Sequence, residues 1–284
     1  PEGGGQPGDR GRLGSLEVHD TQSDDQGRIL HVVSDPGRLS VGMHVDLELD
    51  WTYRYHFMQQ HTAQHLLSGL LHRILGIGTV SVHLGHDDMS IEVDTGELSD
   101  RIIYEVEDTV NRIIRESVPV TATVISQQQA HELGLRRSVK VDGPVRIVTV
   151  GSYDRIACGG VHVATTSELL EVHYLRTESI RGRLRTFWIA ADRAVNFRRS
   201  YRKILDEAGT LLSSPAKEVV QGIDLLQQQL ADQRYQCGQL ARKIVSLRMA
   251  QALEPSDADQ GVPQVFLDAT EWSEEEYEHL HATL

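Results

Sequence analysis

The stretch Phe57 to Leu75, FMQQHTAQHLLSGLLHRIL, carries apolar side chains at Leu66, Leu67, Leu70, Leu71 and Ile74 and is followed by Gly76 and Gly78. That spacing predicts a helix with one buried stripe, stopped by the glycines. His61 and His65 stand four apart on it, so both imidazoles share one face. A second pair with the same spacing, Cys158 and His162 in CGGVH, encloses two glycines and reads as a tight turn whose backbone can come close to whatever the side chains hold. Three imidazoles and one thiolate suit a single zinc ion, whereas magnesium and calcium seek oxygen. The pairs are 93 residues apart (158 − 65), too far for a zinc finger, so such a site has to be assembled by tertiary folding. The HExxH zinc proteases need a glutamate directly after the first histidine. Here that residue is Thr62, which excludes them.

Working outward, the 284 residues are 39% hydrophobic and 24% charged, the balance of a globular protein of two or three units. The net charge of −13 argues against a surface that coats nucleic acid uniformly. A local exception runs from Arg176 to Lys203, where nine basic residues face two acidic ones, a local +7. Only Cys158 and Cys237 are available to oxidise, so a disulfide framework is not expected and a reducing, cytoplasmic compartment is. No apolar run approaches the roughly 20 residues that span a bilayer.

Upstream of the helix, Leu13–Val18, Ile29–Ser34 and Val45–Leu49 have the length and punctuation of strands. Downstream, Val80–Leu84 and Ser90–Asp94 read as a pair, Ser99–Ser117 as a helix with Ile102, Val106, Val110 and Ile113 inward, and Val120–Ile125 and Val145–Val150 as strands around a short helix at Gln127–Leu133. Leu169–Thr177 and Leu184–Ala190 read as strands joined through Arg181-Gly182-Arg183. Beyond Asn196 the pattern turns helical, with a heptad seam at Leu226, Leu230, Gln233, Cys237, Leu240, Ile244 and Leu247 on which Cys237 reads as a small core residue. Val262–Asp268 and Ser273–Leu284 read as one strand and one helix. The expected class is α+β: residues 1–50 a truncated glycine-rich small β-barrel domain, 51–200 a central zinc-binding domain with an antiparallel or mixed sheet and packed helices, 201–252 a helical arm, and 253–284 the start of a further α/β domain.

HTAQHLLSGLL, then VSVHLG, then ACGGVHV, together with the opening PEGGGQPGDRG, resemble in their joint order the alanyl-tRNA editing proteins of the AlaX type, the longer class above all, which are freestanding relatives of the editing domain of alanyl-tRNA synthetase. The resemblance implies that His61, His65, Cys158 and His162 bind zinc and that the activity is hydrolysis of the ester in seryl-tRNA(Ala), or in some members glycyl-tRNA(Ala). It makes Gly4, Gly5 and Gln6 of the glycine-rich loop candidates for substrate discrimination. It also implies that the chain is a fragment at both ends. On this reading Thr62 and Gln64 bond the substrate's hydroxyl or amine, the Gly159 and Gly160 amides stabilise the developing oxyanion, and Arg181 and Arg183, within the basic stretch, grip the tRNA acceptor stem through phosphates. The heptad seam, or the further C-terminal domain, offers a route to a homodimer. The alternative is a tRNA-binding module in which the zinc is purely structural.

Overall fold

The computed structural model describes residues 1–3, 5–139, 143–252, 270, 272–274, 277 and 278. It divides into two compact units, residues 1–199 and 200–284. The first unit is built around α1 (Trp51–Leu75). Asp50 opens this helix by accepting the Tyr53 N–H at 2.9 Å, and Gly76, at φ 67, closes it with its own N–H on the His72 carbonyl. The cap at Asp50 starts the helix earlier than its leucine periodicity predicts. Every residue from Gln59 to Leu71 is buried, on all sides of the helix rather than along one stripe, while Ile74 is 45% exposed and lies beyond the core.

This all-round burial has a structural source. One side of α1 packs on a four-stranded sheet of β5 (Thr79–Leu84), β6 (Met89–Val93), β10 (Val172–Ile180) and β11 (Arg183–Ala190), in the order β10-β11-β6-β5. Other sides meet α2 (Asp100–Arg115), a 3-10 turn at Thr166–Leu169, and the short strand β9 (Asp154–Ala157). Leu66, Leu67, Leu70 and Leu71 join Met89, Ile91, Val93, Val106, Val110, Ile113 and Trp188 in one core. Each fully buried leucine contributes roughly 1.5–3 kcal/mol, so this cluster is the dominant anchor of the helix. The polar residues caught in the same environment must be satisfied internally. Gln60 is, exchanging two hydrogen bonds with the Ala190 backbone at 3.0 and 3.2 Å.

β9 extends a three-stranded sheet, β7-β8-β9, with β7 (Val120–Ile125) and β8 (Val145–Val150); α3 (Gln127–Glu132) joins β7 to β8 under a complete capping box at Ser126. The N-terminal sheet, β3-β2-β1-β4, is formed by β1 (Gly11–Leu13), β2 (Leu16–Ser23), β3 (Ile29–Val33) and β4 (Leu47–Leu49). It is open, not a closed barrel. Every strand pairing is antiparallel among the described residues, and the class is α+β. Further expectations shift: the strand expected at Leu169–Thr177 begins only at Val172, after the 3-10 turn that holds Leu169, and the one expected from Val45 begins at Leu47. Leu13–Val18 is two strands broken by a turn at Gly14 (φ 59), Ile103 and not Ile102 faces the core, and β9 was not anticipated because four residues are too few to show an alternation.

The second unit carries the later part of α4 (Asp192–Leu211) and α5 (Val219–Ala252). Leu226, Leu230, Leu240, Ile244 and Leu247 are exposed on α5, and so is Cys237, which is not part of a core within this chain's described residues. The strand expected at Val262–Asp268 lies outside the described residues, as does most of the helix expected at Ser273–Leu284. No helix among the described residues is long and apolar enough to cross a membrane.

Gly69 shows how tightly α1 meets β9: a Cβ there would lie 2.7 Å from both the Asp154 Cβ and the Tyr153 carbonyl oxygen. Helix propensity alone favours alanine by about 1 kcal/mol. Overpacking costs about 1–3 kcal/mol. Gly69→Ala is therefore expected to lower the urea midpoint; a raised midpoint would show that the contact yields freely.

Candidate metal centre

The middle of α1 presents His61 and His65, and the CGGVH turn that leaves β9 brings Cys158 and His162 against them. The four ligand atoms lie within 4.8 Å of one another. Cys158 Sγ is 3.5 Å from Nε2 of both His61 and His162, and the three imidazole centroids are 4.3, 4.5 and 4.8 Å apart. Gly160 permits this approach, since a Cβ on it would fall 2.3 Å from His61 Cε1 and 2.9 Å from Gln6 Oε1. Gly159 faces open space. Arg146 on β8 holds the turn in place, with Nη1 donating to the carbonyls of Cys158 and Gly160 at 2.8 Å each.

The far nitrogen of each imidazole is held from behind. His61 Nδ1–H donates to Gln6 Oε1 at 2.8 Å, and the same oxygen accepts the Val161 N–H at 3.3 Å. His162 Nδ1–H donates to Thr62 Oγ1 at 3.1 Å. Asp154 Oδ2 stands 3.3 Å from His65 Nδ1, an ion-pair distance at an angle too poor for a hydrogen bond, and the same carboxylate is paired with Arg136 at 2.7 Å. Such partners fix which ring nitrogen is free to bind metal, and here they leave Nε2 of all three histidines facing the cluster.

The electrostatics match the donor chemistry. Burial alone would push the Cys158 thiol up, but the surrounding imidazoles outweigh it and bring it down to about 3. Burial lowers His162 to about 3 and also lowers His61. Burial opposes protonation of His65 as well, yet Asp154 and the thiolate prevail and the net direction is upward. A thiolate among imidazoles whose Nε2 atoms converge is a metal-binding donor set, and this group can hold a metal ion.

Three of the four, His61, His65 and Cys158, line a cleft of about 490 Å³, with His162 behind them. Gln6, Gln64, Gly159 and Gly160 line the same cleft. Gln64 Nε2 donates to Ser68 Oγ at 2.8 Å. Thr62 does not line it: its hydroxyl donates to the Met58 carbonyl and accepts from His162 and from the Val163 N–H, so it holds a ligand and has no proton left for a substrate. Gly5, at φ +87, closes a turn in which Gly3 and Gln6 exchange backbone hydrogen bonds, and its carbonyl accepts the Leu84 N–H; this turn is what delivers Gln6 to His61. Gly4 lies outside the described residues. Arg181 and Arg183 sit at the β10–β11 hairpin, away from the cleft lining, with Arg183 paired to Asp94 at 2.9 Å.

Much of the basic stretch is likewise compensated. Arg176 meets Asp88 and Glu178, Arg185 meets Glu92, Arg198 meets Glu171, and in the second unit Arg202 and Lys203 meet Asp206 and Glu207. Arg193 is half-buried against His56 and the Gly85 carbonyl, and burial lowers its guanidinium to about 10. Arg136, Arg146 and Asp154 escaped the sequence reading. A ligand histidine demands a partner for its other nitrogen, but nothing in the sequence says which distant residue supplies it.

Residues 145–185, which span β8, β9, the CGGVH turn, β10 and the start of β11, match the family described as the threonyl and alanyl tRNA synthetase second additional domain. The chain is 34% identical over 231 residues to the alanyl-tRNA editing protein Aarsd1 of Danio rerio, covering 80% of this chain and 55% of that protein. To the alanyl-tRNA editing protein AlaX-L of Pyrococcus horikoshii it is 38% identical over 183 residues, 62% of this chain and 45% of that one. The chain thus spans about half the length of these two relatives. To AlaX-M of the same organism it is 32% identical over 193 residues, which are 65% of this chain and 80% of the relative. With identity at this level along most of a relative's length, joined to four converging donors on α1 and the CGGVH turn, the chain belongs to the alanyl-tRNA editing protein family.

Proposed function

We propose that the chain is an aminoacyl-tRNA deacylase acting in trans, which hydrolyses the ester joining a misattached amino acid to alanine tRNA, with serine the leading substrate and glycine the next. The observation that carries this reading is a four-donor cluster of which His61, His65 and Cys158 line a cleft, in a chain whose relatives are named alanyl-tRNA editing proteins. We assign one zinc ion to His61, His65, Cys158 and His162. When bound, zinc supplies Lewis-acid polarisation of an ester carbonyl or a fixed anchor for the aminoacyl group.

The chain's own residues do the remaining work. Gln64 gives one amide N–H to Ser68, and we assign its amide oxygen as the acceptor for the ammonium or hydroxyl of the amino acid. The Gly159 and Gly160 amides are our candidates for the oxyanion donors, because neither residue has a side chain to keep a carbonyl away. Thr62 and Gln6 are positioning residues, acting through His162 and His61. Selectivity for serine over alanine runs in the easier physical direction, since a site built to bond a hydroxyl rejects the analogue without one. The acceptor stem is the part of the tRNA we assign to the cleft, and the cytoplasm is the compartment. The exposed leucines along α5 support self-association through the arm.

One observation favours a second reading, a tRNA-binding module with a structural ion: four protein donors already complete a tetrahedral shell. Serine release from seryl-tRNA(Ala), with and without chelator, separates the two. Chelation is expected to abolish release, and undiminished hydrolysis by metal-stripped, folded protein would defeat the zinc-dependent reading. Cys158→Ala is expected to keep tRNA binding while deacylation falls by roughly two orders of magnitude, about 2.7 kcal/mol in activation free energy; full activity in that variant would show that Cys158 is not needed for the reaction and would overturn its assignment to a catalytic ion. Gln6→Ala should weaken zinc binding by roughly 10–100-fold in a chelator competition with the circular dichroism unchanged, and an unaltered affinity would remove Gln6 from the centre.

A further inference from the structure

With much of the 176–203 stretch engaged by carboxylates, cations free to meet a polyanion are found elsewhere as well. A second cleft, of about 380 Å³, opens between the C-terminal half of α1 at Gly69, His72 and Arg73, the loop from Leu133 to Arg136, and the β8–β9 turn from Gly151 to Arg155. Arg73 and Arg155 are both exposed, and neither has an ion-pair partner among the described residues. Arg73 spends one N–H on the Ser152 carbonyl at 2.8 Å, which fixes the guanidinium at the rim and leaves its other donors uncommitted. The one acidic side chain in the lining is Asp154, which is 1% exposed and has both oxygens within hydrogen-bond reach of Arg136. Glu116, next to Tyr153, is occupied by Arg112 and the Tyr153 hydroxyl. The larger cleft beside Trp51 is by contrast lined by three acidic residues, Glu17, Glu48 and Asp50, against two basic ones, Arg10 and Arg12. Geometry ties the cationic cleft to the metal centre, because Arg136 lines both clefts and pairs with the carboxylate that faces His65.

We propose that this cleft binds a backbone phosphate of the RNA substrate, with Arg73 and Arg155 as the phosphate-binding side chains. The proposal rests on tRNA being the ligand of this chain. A planar guanidinium fork matches two phosphate oxygens, and two such forks on one concave wall, with the local carboxylate already neutralised, suit a phosphodiester better than a carboxylated metabolite. A strand held there lies one side chain away from the groups that set His65, so its path is fixed relative to the cleft that takes the amino acid. Sequence-independent anchoring of this kind positions a nucleic acid without reading its bases.

The test is fluorescence anisotropy of the whole chain with labelled, uncharged alanine tRNA over a salt series. Each phosphate contact adds about 0.9 to the slope of log K against log salt concentration. R73A/R155A is expected to flatten the slope by about two units and R155A by about one. R155A removes no hydrogen bond or ion pair among the described residues, so it serves if the double variant does not fold. Wild-type slope in a folded R155A protein would overturn the proposal. Calorimetric titration with inorganic phosphate and pyrophosphate separates the sources of the anion: saturable binding of either, lost in R155A while the tRNA slope stays, would make this a small-anion site and overturn the RNA assignment. If wild-type protein binds and deacylates tRNA while R155A keeps its slope, only the cleft assignment fails. If wild-type protein does neither, the deacylase reading fails and this proposal falls with it.

Discussion

The close approach of the CGGVH turn to the middle of α1 is the constraint on which the rest of the molecule depends. It needs a residue without a side chain at 160, because a Cβ would overlap His61. It needs β9 to lie against α1 at Gly69, where a Cβ would overlap Asp154 and Tyr153. It also needs the turn held from outside, which Arg146 does through two carbonyls. Two glycines and one arginine thus set the distance between elements nearly a hundred residues apart in sequence, and the four ligand atoms inherit that distance.

Burial of α1 on every side follows from the same packing and explains the second tier of the site. A helix enclosed by a sheet, a neighbouring helix and β9 cannot leave polar side chains to water, so each must find a partner in the protein. Gln60 finds the Ala190 backbone, Gln59 the Glu168 carbonyl, Gln64 the Ser68 hydroxyl, and Thr62 a carbonyl, an amide and an imidazole. These bonds give the ligand histidines fixed orientations. Preorganisation of the centre is therefore a by-product of satisfying a buried polar helix, and its rigidity comes from the leucines that hold the helix in the core.

Charge is distributed by a different logic. Within the 176–203 stretch most of the basic residues stand opposite carboxylates, and on the β10–β11 hairpin Arg176, Arg183 and Arg185 are all paired. A carboxylate arriving from β6, from the β5–β6 turn or from Asp94 just after β6 is invisible in a window of neighbouring residues. What matters for a polyanion is the uncompensated guanidinium, and that quantity exists only after folding.

The sequence by itself determined the helix of HTAQH, the glycine turn of CGGVH, the strand pairs and the identity of the four donor residues, because local spacing and residue chemistry carry that information. It also carried the family resemblance, which lives in the order of short motifs. Only the tertiary structure decided that Gln6 and Thr62 stand behind ligands, that Asp154, Arg136 and Arg146 belong to the centre, and that the leucine periodicity of α1 belongs to a helix buried all round. The hydrogen bond from residue 61 to 6 and the ion-pair contact of 154 with 65 join partners whose separation in sequence is arbitrary. Their meeting is fixed by how the sheets and α1 pack, and no local pattern encodes it.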